Sequence, residues 1–395
     1  MNITMNRAEL LSAAQKAAAI ALENAPLESL KGALLEASAA SNTLTITATN
    51  IETSLEQKLS CPVGEDDAVV MNAKLLAGML GLMSGETVEL RRLPGSHVLS
   101  LRSGETVYDW TIGERGEFPK MQFPFPEDTV TVRGIPSIAR RTMFATEDNK
   151  DKPLLKCVNF MFTQEGLKGA GYNGRSMVTA RGDDKSTGNI SLLVPATALE
   201  KLAELCTDQD EFKVGTTGPS IVFMQPGLTF STRLMEGDFV DIGRLMGNIR
   251  NQFTVLSDVA DLRRTLKTVT AMDRKGRVKL AFDGGRITFS CKSELGSAAE
   301  SVDVAPLTGA PRGEYWYLVP ELMNSLTALS GTVTLGIAQA GMLDLSTENA
   351  YYMQTAVREP VAAPVVVQDQ TKETKSKKAP AKAKKSRKSA AKKAA

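Results

Sequence analysis

The segment with the strongest chemical signature is GAGYNG, residues 169–174, which has the glycine spacing of a dinucleotide-binding loop. In such loops the backbone approaches a pyrophosphate, which binds at the N-terminus of the helix that follows. Here the next residues, RSMVTA, alternate in the manner of a β-strand, so no helix N-terminus is available. The pattern therefore argues against dinucleotide binding.

Other catalytic groups are equally scarce. His97 is the single histidine, which excludes histidine-based triads and histidine-rich metal sites. The four cysteines are scattered without a CxxC pair, which predicts buried, reduced thiols and neither a metal site nor a disulfide framework. They are Cys61, Cys157, Cys206 and Cys291. We therefore expect a protein that is not an enzyme and that uses no cofactor or metal.

A helix-opening pattern recurs three times along the chain. It reads VVMNAKLLAGMLGL from residue 69, LLVPATALEKLAEL from residue 192 and WYLVPELMNSLTAL from residue 316, with Pro195 expected in the first turn of the second helix. Met71 and Val194 are 123 residues apart, and Val194 and Val319 are 125 apart. This spacing suits whole domains. It predicts three similar domains at 1–126, 127–250 and 251–359.

The elements around the repeated helix are also similar. Each repeat opens with a short strand and an early helix, as in ITMNRAELLSAAQKAA, TVTVRGIPSIARRTMF and FTVLSDVADLRRTLKTV. Alternating stretches such as TLTITATN, RVKLAFDGGRITFSC and TVTLGIAQ then predict strands. The predicted fold class is α+β, with three repeated domains that each pack two helices on antiparallel sheets.

Charge divides the chain into two parts. Residues 360–395 hold ten Lys, one Arg, one Asp and one Glu, a net charge of +9. Because the whole chain is +2, residues 1–359 carry about −7. We predict that 360–395 is a disordered, basic Lys/Ala-rich tail. The chain has no long apolar run and no signal-peptide pattern at its start, so we expect a cytoplasmic location.

The early helices place cations on their predicted outer faces. In the third, Val259, Leu262, Leu266 and Val269 form an inward stripe, and the opposite side, with Arg264 and Lys267, is expected to be small, basic and free of acid. In the first, Asn6 and Glu9 have capping-box spacing. Within an acidic body, this pattern favours a localised positive surface suited to a phosphate backbone. The alternative is that these are ordinary solvated Lys and Arg.

These features together resemble the bacterial sliding clamp family, the beta subunit of DNA polymerase III. The resemblance covers everything before the tail and rests on the threefold repeat, ITMNRAELLSA, TLTITATNIETSLE, GEFPKM, VPATALEKLAEL, TRLMEGDFVDI and the final strand YYMQTAVR. It implies a head-to-tail homodimer that forms a ring of six domains around duplex DNA. It also implies contacts to phosphates rather than to base edges, so that the ring can slide.

By position, the resemblance assigns three sets of residues. The DNA-facing set is Arg7, Lys16, Lys74, Arg140, Arg141, Lys201, Arg264 and Lys267. An apolar pocket for partner peptides between domains two and three maps to Gly174, Met177, Val240, Arg244, Leu245, Met353, Val357 and Arg358. The dimer interface maps to Tyr108, Trp110 and Ile112 opposite Ala271, Met272 and Arg274, and the alternative is that Trp110 is ordinary core.

The pocket departs from the family pattern. Where the family has a Thr-Asp-Gly-His-Arg-Leu run, this chain has Tyr172 to Met177, and where it ends in Met-Pro-Met-Arg, this chain has Thr355 to Arg358. The departures favour a diverged member with an unusual partner set, of a kind that a phage could encode beside its own polymerase. The expected partners are double-stranded DNA, a replicative polymerase, a clamp loader and a second copy of the chain, with no membrane.

Two function classes remain open. The first is a DNA-encircling processivity factor, and the second is a multidomain peptide-binding scaffold of clamp fold that no longer encircles DNA. The basic faces of the early helices favour the first class, because a pure scaffold has no reason to keep them. The tail, with no counterpart in the usual clamp, is expected to add salt-dependent DNA affinity or to act only as a solubility tail.

Overall fold

A computed structural model of the chain describes residues 1–359 except residues 23, 25, 26, 148–150 and 183–189. The predicted basic tail, 360–395, lies outside the described residues. Residues 1–358 form one compact unit in which three stretches of chain follow the same order of elements. Each stretch, called a repeat below, runs strand, helix, a group of strands, helix and three further strands; the strand Gly113–Glu114 and the helix Ile242–Gly247 are additional.

The first repeat begins with Asn6 capping its early helix, since the Asn6 side chain accepts hydrogen bonds from the N–H groups of Ala8 and Glu9. The Asn6 half of the predicted capping box is therefore confirmed. Its elements are β1 Asn2–Asn6, α1 Arg7–Ile20, β2 Gly32–Ser38, β3 Thr43–Thr49, β4 Thr53–Ser60, β5 Asp67–Asn72, α2 Ala73–Leu82, β6 Thr87–Arg92, β7 Val98–Ser103, β8 Thr106–Thr111 and β9 Gly113–Glu114.

The second repeat differs from the sequence expectation at one helix start. Pro195 is the last residue of a strand and the N-cap of the following helix, not a residue of its first turn. The elements are β10 Val130–Val132, α3 Ile135–Thr142, β11 Cys157–Thr163, β12 Gly166–Tyr172, β13 Ser176–Arg181, β14 Ile190–Pro195, α4 Ala196–Leu205, β15 Phe212–Thr217, β16 Ser220–Gln225, β17 Leu228–Arg233 and α5 Ile242–Gly247.

The third repeat confirms the predicted stripe of its early helix, because Val259, Leu262, Leu266 and Val269 are all buried. An additional short strand, β22, follows its middle group. The elements are β18 Asn251–Asp258, α6 Val259–Val269, β19 Arg277–Asp283, β20 Arg286–Ser293, β21 Gly296–Asp303, β22 Ala305–Thr308, β23 Arg312–Leu318, α7 Val319–Ala328, β24 Thr332–Ala338, β25 Leu343–Ser346 and β26 Ala350–Gln354.

The strands of each repeat divide between two half-sheets. The first strand joins the last three, as in the order β1-β6-β7-β8, and the middle strands form the other, as in β5-β2-β3-β4. All of the pairings are antiparallel, and the two helices of each repeat pack side by side against its strands. Where buried and exposed positions alternate, as along β20, the strand has one face in the core. The predicted α+β class is confirmed.

Half-sheets of successive repeats join into continuous sheets. The last strand of a repeat, which we call the closing strand, pairs with the third middle strand of the repeat before it, which we call the acceptor strand. Thus closing strand β17 pairs with acceptor strand β4, and closing strand β26 pairs with acceptor strand β13. These two junctions are the interior seams. Buried hydroxyls bridge the first of them, where the Oγ1 atoms of Thr53 and Thr232 lie 3.1 Å apart.

Candidate DNA interface and partner groove

The early helices of the three repeats share one burial pattern, which fixes their correspondence. In α1 the buried positions are Leu10, Ala13, Ala14 and Ala17, and the same spacing buries residues 135, 138, 139 and 142 in α3 and residues 262, 265, 266 and 269 in α6. The half-buried Lys16 of α1 therefore corresponds to the half-buried Arg141 of α3. The exposed Arg140 corresponds to the exposed Lys267.

Arg7 has a structural task. Its Nε donates to the carbonyl of Gly85 at 2.6 Å, and its Nη1 donates to the carbonyl of Leu80 at 2.8 Å. Leu80 belongs to the last turn of α2, where carbonyl groups lack partners within the helix. Arg7 thus ties the start of α1 to the end of α2, and its guanidinium is half-buried.

The remaining cations of the DNA-facing set differ in their exposure and in their contacts with neighbouring groups. Arg140 is exposed and donates from Nη2 to the carbonyl of Ala203 at 2.9 Å. Lys201 lies 3.9 Å from the carboxylate of Glu204. Lys74 and Lys267 are exposed.

The expectation that the outer face of α6 is free of acid is wrong. Asp261 lies one turn before Arg264, with its Oδ1 4.0 Å from the Arg264 Nε. Arg264 also donates from Nη1 to Glu300 of β21 at 2.5 Å. The cationic character of this helix therefore rests on Lys267 and on Arg263, both exposed.

The predicted partner pocket is partly assembled. Met177 and Met353 lie opposite each other on the paired strands β13 and β26, and both are buried, so they form the floor of an apolar cluster rather than its open surface. The half-buried Val240 and Leu245 pack against that floor. The cluster therefore joins four of the eight assigned residues at the seam between the second and third repeats.

The other four assigned residues lie elsewhere. Gly174 occupies the turn between β12 and β13 with a φ of +90°, a conformation that favours glycine. Arg244 is exposed in the first turn of α5. The N–H of Val357 donates to the carbonyl of Trp316 in β23, and the carbonyl of Arg358 accepts from Arg277 Nη1 in β19. Both residues therefore lie beside the half-sheet formed by the middle strands of the third repeat.

Sequence reasoning missed the residues that seat α5 on the sheet. Ile242 is buried in the same cluster, and Phe239, Met246 and Tyr351 pack around it. The apolar positions 239, 242 and 246 have helical spacing, and that signal was available in the sequence. A cavity of about 740 Å³ lies beside α5, and its lining includes Met161, Phe239, Ile242, Met246 and Tyr351.

Two strands at the ends of the repeat series have an open edge. Among the described residues, closing strand β8 pairs only with β7, and acceptor strand β21 pairs only with β20. Tyr108 and Trp110 lie on β8 and are half-buried against the core. Ile112 follows β8, is buried, and donates its N–H to His97, so it belongs to the interior of the repeat.

On the third repeat, the predicted interface residues Ala271, Met272 and Arg274 are exposed in the turn after α6. The repeat correspondence, however, makes β21 the acceptor strand of this end. Exposed apolar side chains lie near both open edges. Val107 is 50% exposed and Leu295, just before β21, is 80% exposed.

The buried cysteines have raised thiol pKa values. Burial raises the pKa of Cys157 to about 11 and that of Cys206 to about 12, so both thiols stay protonated at neutral pH. All four cysteines are free and buried. Over the described ranges, no group of His, Cys, Asp and Glu has a metal-binding arrangement. His97 is exposed, with Nδ1 3.2 Å from Glu114.

Among the helices within the described residues, none combines the length and the apolar character needed to cross a membrane.

Comparison with known proteins finds sequence and structural similarity to one group of proteins. Over residues 1–122 the chain matches the family described as DNA polymerase III beta subunit, N-terminal domain. A beta sliding clamp of Streptococcus pneumoniae is 21% identical over 254 residues, which is 61% of this chain and 66% of that protein, slightly under two thirds of its length. A beta sliding clamp of Synechococcus elongatus is 22% identical over 317 residues, covering 77% of this chain and 83% of that protein.

Solved structures extend the likeness over the whole body of the chain. A putative DNA polymerase III beta subunit from Eubacterium rectale aligns with a TM-score of 0.82 at 15% identity, covering 91% of this chain and all of that one. A sliding clamp from Pseudomonas aeruginosa bound to griselimycin aligns with a TM-score of 0.80 at 19% identity over the same shares. The fold is that of a three-repeat DNA clamp. The chain is similar in sequence to the beta sliding clamps and shares their fold.

Proposed function

We propose that this chain is a DNA sliding clamp, a non-catalytic processivity factor that encircles duplex DNA as a head-to-tail homodimer. The predicted repeat boundaries, 1–126, 127–250 and 251–359, are part of this proposal, since each would contribute one domain to a ring of six. The observation that carries it is a pair of complementary open edges. Among the described residues, one closing strand, β8, and one acceptor strand, β21, remain without a neighbour on one side after both interior seams have formed.

The open edges support a head-to-tail dimer because their kinds are complementary. The interior seams pair a closing strand with the acceptor strand of the preceding repeat. Applied to two copies, the same rule pairs β8 of one copy with β21 of the other, and twice over closes a ring. Such pairing would satisfy exposed strand edges that otherwise invite unspecific association. It would also cover Val107 and Leu295.

The helix side of the ring is the surface proposed for DNA. The exposed or half-buried cations Lys16, Lys74, Arg140, Arg141 and Lys267 belong to it, and Lys201 and Arg264 share their charge with nearby carboxylates. The scarcity of aromatic side chains suits a sliding contact, because stacking on bases would hinder movement. The proposed location is the cytoplasm, with a replicative polymerase and a clamp loader as partners.

Partner peptides are proposed to bind over the Met177–Met353 floor beside Val240 and Leu245. Griselimycin, which a Pseudomonas aeruginosa clamp binds, provides a probe. Replacing the half-buried Leu245 with Glu puts a charge in the apolar cluster and should weaken griselimycin binding at least about tenfold in calorimetry, since unpaired charge in apolar surroundings is unfavourable. Arg312→Gln, on an exposed strand position, is the control. Equal binding by both variants would show that griselimycin does not bind in this groove.

The experiment for the proposed function compares circular and cut DNA. The full chain is incubated with a linear duplex, which a ligase then closes into a circle; the circle is separated by gel filtration and then treated with a nuclease that cuts it once. A ring stays with the circle and leaves over the new ends. Retention that is unaffected by cutting would instead favour the alternative, a clamp-fold scaffold whose DNA affinity is not topological.

A further inference from the structure

The described part of the chain contains one buried carboxylate, that of Asp344, which is 6% exposed. Its Oδ2 accepts hydrogen bonds from Asn251 Nδ2 at 2.8 Å and from the hydroxyl of Tyr351 at 3.5 Å. The backbone N–H of Gly336 also donates to the carboxylate. Burial nevertheless raises the pKa of Asp344, so these hydrogen bonds do not fully replace the water that the carboxylate loses.

The corresponding place at the first interior seam is apolar. At each seam, four residues follow one another across paired strands. At the second seam they are Gly336, Asp344, Met353 and Met177. At the first seam they are Gly215, Val222, Ser231 and Ser54. Val222, which takes the place of Asp344, is 1% exposed. The fold of a seam therefore does not require a carboxylate at this position.

The glycine of each set lies beneath a linker between repeats. A Cβ atom at Gly215 would collide with the carbonyl of Asp128 and the ring of Pro126, and Pro126 is buried. A Cβ atom at Gly336 would collide with the side chains of Asn251 and Asp344. Both linkers thus cross the sheet at the same place. Apolar residues meet there at the first seam, and a hydrogen-bonded polar pair meets there at the second.

Asp344 connects two parts of the proposed partner groove. Through Asn251 it holds the segment that follows α5, and α5 includes Leu245, which packs on the apolar cluster of the groove. Within the sheet, Asp344 lies directly opposite Met353, a residue of the groove floor. The hydrogen bond between Asp344 and Asn251 therefore ties α5 to the sheet beneath the groove.

Global stability does not account for this carboxylate. Replacing buried charged groups with well-packed apolar residues of similar volume is often neutral or stabilising. A valine like Val222 would therefore serve the sheet at least as well. A hydrogen bond, however, requires a particular distance and angle between donor and acceptor, which an apolar contact does not. The carboxylate thus fixes where the second linker lies on the sheet.

We propose that Asp344 is a positioning residue of the partner groove: its hydrogen bond to Asn251 holds α5, and with it Leu245, over the Met177–Met353 floor. The proposal rests on the proposed function, because that function assigns the groove to partner peptides. It explains why the seam beside the groove has a polar pair where the first seam has apolar residues.

The test measures hydrogen exchange of the full chain by mass spectrometry. Asp344→Val introduces the residue type of the first seam and removes the acceptor. The amides of Leu245, Asn248 and Ile249, which bond to carbonyls within the α5 segment, should exchange about tenfold faster, the factor expected for one hydrogen bond to a charged group. The amides of α4 should be unaffected. The denaturant midpoint of unfolding should stay unchanged or rise, because a buried charge is removed.

Further variants separate positioning from a general structural role. Asp344→Asn keeps an acceptor oxygen for Asn251 and should retain the slow exchange of α5. Asn251→Ala should reproduce the effect of Asp344→Val, and the double variant should show no larger effect, because both changes remove the same hydrogen bond. Glu211→Gln is the control, since this exposed carboxylate accepts from Arg133, outside the groove.

Griselimycin binding, measured by calorimetry, connects α5 to the groove. The apparent Kd rises as the binding-competent fraction falls, so Asp344→Val should weaken binding by at least about threefold. Asp344→Asn and Glu211→Gln should bind as the wild type does. If the wild type itself does not bind griselimycin, the groove assigned under the proposed function fails, and the exchange data still decide whether Asp344 holds α5.

Three outcomes overturn the proposal. The first is unchanged exchange of the α5 amides in Asp344→Val. The second is faster exchange in α4 as well as α5 together with a lower denaturant midpoint, which would make Asp344 a residue of general stability. The third is unchanged griselimycin affinity in Asp344→Val when the wild type binds the ligand.

Discussion

The interior seams and the open edges are made of corresponding strands, but their surroundings differ. At the first seam, β17 covers β4, and Thr53, Ser54 and Thr232 are buried between repeats. At the open ends, β8 and β21 each have one partner strand among the described residues, and Val107 and Leu295 are exposed to solvent. The same repeat therefore provides a satisfied junction where a neighbour follows and an unsatisfied one where the series stops.

The difference supports the proposed head-to-tail dimer. A closing strand and an acceptor strand are the two halves of one junction, so a second copy would supply what each end lacks. Apolar exposure at the ends would give association a driving force, and the complementary edges would give it direction.

The largest effect is expected from charge at the open edges. Val107→Glu and Leu295→Glu each introduce a carboxylate where the proposed junction buries apolar surface. Each should weaken dimerisation by about 2 kcal/mol, roughly 30-fold in Kd, measured by sedimentation equilibrium. Phe125→Glu is the matched control, because Phe125 is 72% exposed but lies on the linker between the first two repeats. Unchanged association in the edge variants would show that these strands do not form the dimer interface.

A moderate effect is expected at the interior seam. Thr53→Val keeps the side-chain shape but removes the hydroxyl that contacts Thr232 across β4 and β17. The free energy of unfolding should fall by about 1 kcal/mol, the usual net value of one hydrogen bond. The Thr232 hydroxyl retains the carbonyl of Glu52 at 3.4 Å, which keeps the loss small. Denaturant unfolding measures it, and a change in the dimerisation constant larger than the change in stability would contradict the assignment to an interior seam.

The smallest effect is expected at Glu300. This carboxylate of β21 pairs with Arg264, whose side chain is 59% exposed. Glu300→Gln should change the free energy of unfolding by less than about 1 kcal/mol, because exposed ion pairs contribute little. It should also release Arg264 and raise the salt slope of duplex binding by up to about 0.9. A lower slope in this variant would show that Arg264 does not face the DNA.

Local patterns allowed much of the fold to be predicted. The stripe of α6 and the Asn6 cap depend on residues within a few positions of each other, and both are confirmed. The helix start at Pro195 was wrong by one position, because a proline after an extended residue also suits a strand end.

The site residues whose surroundings could not be predicted have partners that are distant in the sequence. Arg7 has the type and position of a DNA-facing residue, but carbonyls at positions 80 and 85 occupy it. The acid that pairs with Arg264 comes from β21, 36 residues later. Met177 matches a pocket residue by position, yet its burial on β13 depends on the pairing with β26. No short window of sequence contains these neighbours.

The most direct test of the central claim is whether the closed ring must thread onto DNA through a free end. A linear duplex with biotin at both ends is mixed with the full chain either before or after streptavidin blocks the ends, and the complex is then washed at high salt, which screens phosphate contacts. If the ring is closed, the chain should be retained on the duplex only when it is added before streptavidin blocks the ends. Equal retention in both orders, or loss in both, would contradict it.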